Sequence, residues 1–193
     1  MNIRTTIAAL LFATSAYAQS LISADGTLSN WDIKGPEICW SLKDGIITGV
    51  NDPGKKGGIL WTKAKYRDFT LTGEFKFSGK IDSGIFIRRE GDQIQIGISG
   101  SLKRDMTGSP YIADKRSYPV EAKDVATVLK TDDWNAFTLV VKGKQYIFHL
   151  NGKQVLDYTS ETAIEEGPIG LQVHPGVVMK VEFQKLVVAA DKP

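Results

Sequence analysis

The chain has 193 residues, 42% hydrophobic and 24% charged, which fits one ordinary globular domain and not a disordered chain. Its formal net charge of +2 leaves no basic surplus for binding nucleic acid or an anionic membrane surface. The single cysteine, Cys39, excludes an intrachain disulfide framework, and two histidines are too few for a histidine-rich zinc cage.

Residues 1–18 have the features of a secretory signal peptide. Arg4 supplies a positive charge, residues 7–12 form an apolar run, and Ala16 and Ala18 place small residues where a signal peptidase cleaves. The apolar run is too short to span a bilayer, so we expect no membrane anchor. We therefore predict cleavage after Ala18, a single domain over residues 19–193, and a periplasmic or secreted protein.

The rest of the chain is dominated by a hydrophobic period of two, which is typical of β-strands. Asp44-Gly45 and Asn151-Gly152 each lie between two strand-like runs, and such pairs favour hairpin turns. Residues 69–77 alternate between an apolar and a polar face, and residues 177–188 are rich in β-branched side chains. Only residues 125–129 suggest a short helix. This pattern predicts an all-β sandwich or barrel.

Three further strands are predicted to bury isoleucine, leucine and valine on one face. Their opposite faces do not have the usual lysine, glutamate and threonine of a solvated sheet. These opposite faces hold Gly84, Phe86 and Arg88 in the first strand, Gln93, Gln95 and Gly97 in the second, and Gly170, Gln172 and His174 in the third.

Planar amides and a guanidinium offer fixed hydrogen-bonding geometry for hydroxyl groups, and glycine inside a strand often marks the close approach of a ligand. This face therefore predicts a binding site for a neutral, polyhydroxylated ligand such as a sugar. The alternative interpretation is an ordinary exposed sheet with glycines at bulges.

Several motifs, in order, resemble the bacterial 3-keto-disaccharide hydrolase domain family. They are Asp82-Ser83-Gly84-Ile85-Phe86-Ile87-Arg88, Gln93-Ile94-Gln95-Ile96, Thr107-Gly108-Ser109-Pro110-Tyr111, Trp134-Asn135 and the segment from Gly167 to His174. The resemblance covers nearly the whole mature chain. It implies a concanavalin-like jelly roll, a sandwich of two antiparallel sheets, and the cleavage of 3-keto glycosides.

The implied reaction removes the proton at C2 of a 3-keto sugar and then eliminates the group at C1. It needs a base, an electrophile for the oxyanion and an acid for the leaving group. On the predicted face, His174 is the candidate base, although a structural role for this histidine is the alternative. Arg88 is the candidate for binding the oxyanion or the sugar hydroxyls, and a divalent metal is an alternative electrophile. If neither His174 nor a metal carries the reaction, Asp82 is the nearest candidate carboxylate, because it opens the strand that bears Arg88.

The remaining candidate residues would bind the substrate. Gln93, Gln95 and Gln172 would contact hydroxyl groups, Phe86 lies on the same face, and Tyr111 and Trp134 would stack on a sugar ring or donate a proton.

One departure from the family pattern leaves a second function open. The family usually has glutamate at the position of Gln93, and a lost carboxylate favours a non-catalytic carbohydrate-binding module. The E-x-D-x-x-E pattern of retaining glucanases does not occur in the sequence, so that activity is not expected.

Overall fold

The computed structural model describes residues 17–190 and confirms an all-β fold with no α-helix in that range. The strands in chain order are β1 (Tyr17–Ser20), β2 (Trp31–Lys34), β3 (Trp40–Lys43), β4 (Ile46–Val50), β5 (Gly58–Thr62), β6 (Phe69–Phe77), β7 (Asp82–Ile87), β8 (Arg89–Gly97), β9 (Pro110–Ile112), β10 (Asn135–Lys142), β11 (Gln145–Leu150), β12 (Lys153–Thr159), β13 (Ile169–Val173) and β14 (Lys180–Ala190). Single 3-10 turns occupy Glu37–Cys39, Ala113–Lys115 and Val125–Thr127, the last within the predicted short helix.

The predicted signal peptide lies almost wholly outside the described residues. Only its last two residues, Tyr17 and Ala18, belong to a described element, β1, which pairs with β14. Within residues 17–190, no helix is long and apolar enough to cross a membrane.

The strands form two antiparallel sheets, as predicted. The larger sheet has eight strands in the order β12-β11-β10-β6-β14-β4-β3, with β1 also paired to β14. The smaller sheet has six strands in the order β2-β5-β13-β7-β8-β9. The two sheets share one hydrophobic core, to which both contribute completely buried side chains.

Alternation along each strand decides which side chains enter this core. Leu71 of β6 in the larger sheet and Ile85, Ile94 and Leu171 of the smaller sheet are all 0% exposed. Burying one such side chain contributes on the order of 2 kcal/mol. Cys39 is also buried.

Both predicted hairpin turns are present and explain two of the strand junctions. Asp44 and Gly45 join β3 to β4 with φ angles of 50° and 76°, and Asn151 and Gly152 join β11 to β12 with φ angles of 48° and 83°. Aspartate or asparagine followed by glycine tolerates these left-handed conformations, so the local sequence fixes the register of both hairpins.

A buried polar cluster joins the two sheets near Asp92 of β8. Its carboxylate, 0% exposed, accepts hydrogen bonds of 2.7 Å from the hydroxyls of Tyr146 and Ser160 and one of 3.0 Å from Arg89 Nη2. Tyr146 belongs to β11 of the larger sheet, so this cluster ties the sheets together. Burial, followed by the hydrogen bond to Asp92, raises the pKa of Tyr146.

The free energy of unfolding is expected to fall as the pH rises above about 10. Burial raises the pKa of Tyr66, Tyr118, Tyr146 and Tyr158 in the folded protein. The unfolded chain loses these protons near the ordinary tyrosine pKa while the folded chain keeps them, so the stabilisation is complete at lower pH and is lost above it. Urea unfolding between about pH 9 and 11 should show this fall, and Tyr146→Phe should make it shallower. An equally steep fall in Tyr146→Phe would contradict the assignment to Tyr146.

Candidate functional site

The three strands with unusual outer faces are neighbours in the smaller sheet. Strand pairing places Gly170 of β13 opposite Phe86 of β7, which lies opposite Gln93 of β8 and then Tyr111 of β9. These residues share the outer face, because directly paired residues point to the same side of a sheet. The structure therefore brings together most of the residues selected from the sequence.

Two glutamine side chains meet at the centre of this face. Gln93 Nε2 donates to Gln172 Oε1 at 2.9 Å and to the Ser83 carbonyl at 3.1 Å. The Gln93 side chain lies directly over Gly84, where an added Cβ would overlap the amide. Among the described residues, the Gln172 amide nitrogen donates to no partner, so both its hydrogens are available to a ligand.

Gln95 lies beside this pair, and its hydrogen bonds are all made within the protein. Its Nε2 donates to Asp82 Oδ1 at 2.8 Å, and its Oε1 accepts from Tyr118 OH at 3.1 Å. Burial raises the pKa of Tyr118 to about 12, which keeps that hydroxyl protonated as a donor. Gln95 was selected from the sequence as a substrate ligand, whereas these contacts make it the support that orients Asp82.

Asp82 and His174 form a carboxylate–imidazole pair at the edge of the glutamine cluster. The backbone N–H of Gly100 donates to Asp82 Oδ2 at 2.9 Å, and His174 Nε2 lies 3.9 Å from the same oxygen. His174 Nδ1 lies 2.7 Å from the Pro175 carbonyl, which can only accept a hydrogen bond. In the neutral ring the proton is therefore on Nδ1, and Nε2 keeps its lone pair beside Asp82.

One asparagine just after β4 holds the segment that carries His174. Asn51, directly after β4, donates from Nδ2 to the carbonyls of His174 at 2.8 Å and Val177 at 2.7 Å. Its Oδ1 accepts from the Gly57 N–H at 2.9 Å. These bonds fix the backbone on which the imidazole is mounted.

Exposure shows from which side a ligand can enter. Gln93 and Gln95 are only 4% and 2% exposed, whereas the His174 side chain is 38% exposed and Gln172 is half-buried. A ligand therefore reaches the Gln172 and His174 side of the face first. The buried Gln93 and Gln95 line the bottom of the candidate site, on the side away from solvent.

Arg88 does not belong to this face, contrary to the sequence-based expectation. The register between β7 and β8 shifts after Phe86, and Arg88 adopts a φ of 63° between the two strands. This β-bulge breaks the alternation on which the expectation depended.

The Arg88 guanidinium instead fastens three backbone segments at one end of the sandwich. Its Nε donates to the Arg67 carbonyl at 2.8 Å, and its Nη1 donates at 2.7 Å to the carbonyls of Gly143 and Ile164. Only 1% of the side chain is exposed. Burial lowers the pKa of this guanidinium, with the neighbouring charge of Asp68 acting in the opposite direction. Nothing of it is available to bind an oxyanion in the glutamine cluster.

Trp134 is the second residue that the structure places elsewhere. It immediately precedes β10 in the larger sheet, and the ammonium group of Lys76 lies 4.8 Å from its ring centroid. Tyr111 does lie on the outer face of the smaller sheet, with its ring 5.2 Å from that of Tyr118. Phe86 is buried there, with its ring stacked against that of Trp61.

Two residues of the site were not among the candidates from the sequence, whereas Asp82 was the fallback carboxylate. Trp61 could have been found from the alternation, since it lies next to the buried Leu60. Tyr118 comes from an irregular loop and carries no periodic signal.

A divalent metal, the alternative electrophile, needs several suitable side-chain donors close together. Within residues 17–190, no group of three or more histidine, cysteine, aspartate or glutamate side chains could hold a metal ion. Asp82 and His174 offer two donors, and the neighbouring side chains are amides and a tyrosine. This donor set does not match a dedicated metal site.

A separate cavity of about 760 Å³ lies at the end of the sandwich near Arg67 and Asp68. Its charged side chains largely neutralise each other, as in the 2.6 Å ion pair between Arg67 and Glu165. None of the glutamine cluster lines it. We assign the site to the outer face, because amide donors, a carboxylate and an imidazole converge there.

Solved structures with similar folds include predicted glycosyl hydrolases and a carbohydrate-binding module. A predicted glycosyl hydrolase from Parabacteroides distasonis has a TM-score of 0.70 at 20% identity, covering 90% of this chain and 99% of that one. A second one from the same organism has a TM-score of 0.68 at 16% identity, covering 91% and 94%. A carbohydrate-binding module from Bacillus subtilis has a TM-score of 0.59 at 16% identity, covering 83% and 96%. At such identities these similarities establish the sandwich fold alone.

No curated protein sequence matches this chain. The sequence does match a family model described as a 3-keto-alpha-glucoside-1,2-lyase-like domain, over residues 18–189. That match spans every described strand except the first residue of β1 and the last of β14. The chain therefore belongs to the 3-keto-disaccharide hydrolase domain family.

Proposed function

We propose that this protein is an exported enzyme that cleaves 3-keto glycosides on the outer face of its smaller sheet. The observation that carries the proposal is the pair formed by Asp82 and His174, with Nε2 and Oδ2 3.9 Å apart beside the available amide of Gln172. Family membership supports the substrate class, since the family is described by an elimination across C1 and C2 of a 3-keto-alpha-glucoside.

His174 Nε2 is the base in this proposal. It takes the C2 proton, and the electron pair of the C–H bond moves to form an enolate on the C3 oxygen. The enolate then expels the C1 oxygen substituent, which takes the proton from the imidazolium. Water adds across the resulting double bond, so that the net reaction is hydrolysis.

The neighbouring groups have roles that follow from their contacts. The Asp82 carboxylate stabilises the imidazolium formed after proton removal, because the opposite charge lies within 4 Å of it. The Gln172 amide donates to the developing enolate oxygen or to an adjacent hydroxyl, and Gln93 holds that amide in place. The predicted signal peptide supports export, and mass spectrometry of the mature N-terminus tests it.

Substituting His174 and Gln172 separately tests whether the histidine acts in proton transfer and the glutamine in sugar binding. His174→Ala is expected to lower kcat on a 3-keto-alpha-glucoside by about 10²-fold or more, with sugar binding changed only a few-fold. Gln172→Ala is expected to weaken binding about tenfold, since it removes hydrogen bonds to the sugar. Steady-state kinetics and calorimetric titration with the substrate measure both effects.

His149 provides the matched control, because it is the other histidine and lies on β11 of the larger sheet. His149→Ala should leave both kcat and the affinity for the sugar unchanged. If His174→Ala keeps full turnover while a chelator abolishes it, a metal carries the reaction and the assignment of the base is wrong. If the wild-type protein binds sugars but turns over no 3-keto glycoside, it is the binding module that Gln93 in place of glutamate favours.

A further inference from the structure

A tryptophan ring lies flat on the outer face beside the glutamine cluster. Trp61 belongs to β5, and an added Cβ at Gly170 of β13 would lie between 2.6 and 3.0 Å from three atoms of the six-membered part of its indole. The ring therefore covers the bare backbone of Gly170. Phe86 supports it from the next strand, with the two ring centroids 5.5 Å apart in a stacked arrangement.

The position of this ring relative to Gln172 matches the size of a second sugar ring. Gly170, beneath the indole, lies two residues from Gln172 on the same face of β13. Two residues along a strand span roughly 6–7 Å. A ligand whose first ring contacts Gln172 and His174 can therefore lay its neighbouring ring on Trp61.

The surroundings of Trp61 indicate what kind of group binds there. The ring is partly exposed, whereas Phe86 is buried, so part of the indole is accessible to a ligand. Asp32 of β2 is the cross-strand partner of Trp61 and is exposed on the same face. An aromatic face with a carboxylate beside it suits a pyranose, whose C–H face packs on the ring while its hydroxyls donate to the carboxylate.

We propose that Trp61, Gly170 and Asp32 form a second subsite, which binds the sugar that leaves from C1. This inference rests on the proposed function, since a 3-keto ring placed at His174 carries its leaving group at C1 as its neighbour. The indole contributes mainly to the binding of two-ring substrates, and it makes no contact with a substrate that has only one ring.

Kinetics on three probes tests the subsite: a 3-keto-disaccharide, a methyl 3-keto-alpha-glucoside and a 4-nitrophenyl 3-keto-alpha-glucoside. Trp61→Ala is expected to lower kcat/KM for the disaccharide about tenfold and to change that for the methyl glycoside by less than about twofold. Asp32→Ala should lower kcat/KM for the disaccharide several-fold and leave the nitrophenyl glycoside unaffected. A larger loss for the nitrophenyl glycoside than for the disaccharide in Trp61→Ala would assign the subsite to aromatic groups and overturn the sugar assignment.

Gly170→Ala provides a second variant that keeps the indole but displaces it, and it should reproduce the loss seen in Trp61→Ala. Trp134→Ala, on the opposite sheet, is the matched control and should leave all three substrates unaffected. An equal loss on the disaccharide and the methyl glycoside in Trp61→Ala would overturn the subsite while the proposed function stands. If the wild-type enzyme turns over and binds none of the three probes, the proposed function itself fails, and the subsite fails with it.

Discussion

Replacing Arg88 with methionine is expected to lower the free energy of unfolding by about 3–5 kcal/mol. The guanidinium is almost completely buried and donates to the carbonyls of Arg67, Gly143 and Ile164. Methionine fills much of the same volume but donates nothing, so three carbonyl oxygens lose their partner at once. Urea unfolding followed by tryptophan fluorescence measures the change.

Arg67 is the matched control for this experiment. Its side chain is 67% exposed and forms ion pairs with Glu165 and Glu166 at the surface. Exposed pairs contribute about 0–1 kcal/mol, so Arg67→Met should be nearly neutral. Equal effects of Arg88→Met and Arg67→Met would contradict a structural role for Arg88.

The same Arg88→Met protein separates the structural role from the catalytic role first expected from the sequence. Under conditions where the variant remains folded, its kcat on a 3-keto glycoside should be close to that of the wild-type protein. A loss of about 10²-fold in kcat without unfolding would show that Arg88 takes part in catalysis.

Gly84→Ala is expected to weaken sugar binding about tenfold or more and to destabilise the protein by about 1–3 kcal/mol. An added Cβ would overlap the Gln93 amide and lie 2.6 Å from Gln93 Cγ. Because the collision begins at Cγ, the whole side chain must change rotamer and give up its bonds to Ser83 and Gln172. Gln172 then loses the contact that holds its amide in place.

A double-mutant cycle shows whether the clash with Gln93 is the cause. In Gly84→Ala/Gln93→Ala the methyl group meets no amide, so the stability lost in Gly84→Ala should be largely recovered. Sugar binding should remain weak in the double variant, because Gln93 is absent from it. If adding Gln93→Ala deepens the loss of stability, the two residues do not interact as described.

Periodicity alone was enough to predict an all-β sandwich or barrel and the strand faces that carry the candidate site. The period of two identified β6 at its observed bounds and placed Gln93, Gln95 and Gln172 on the outer side of their strands. Alternation reliably predicts which side chains of a strand face the core and which face outward. A strand with one buried face has only one register that keeps its apolar side chains in the core.

Reasoning from alternation failed at an irregular strand, and it failed where the sequence does not show which of the two sheets a strand joins. Arg88 follows the alternation in the sequence, but a bulge turns it away from Gln93. Trp134 precedes a strand of the larger sheet, and periodicity says nothing about which sheet a strand joins. Tyr118 lies in a loop, where side-chain direction depends on tertiary contacts and not on a repeat.

The position of β14 in the larger sheet has a consequence for the order of folding. This last described strand lies between β6 and β4 and also pairs with β1. During synthesis, the centre of the sheet therefore stays incomplete until residues near 180–190 have left the ribosome. Pairs such as Phe75 with Phe183 join segments far apart in the chain, which makes folding slow. Until then the nine-residue β6 has one unpaired edge, and such edges pair readily with other chains.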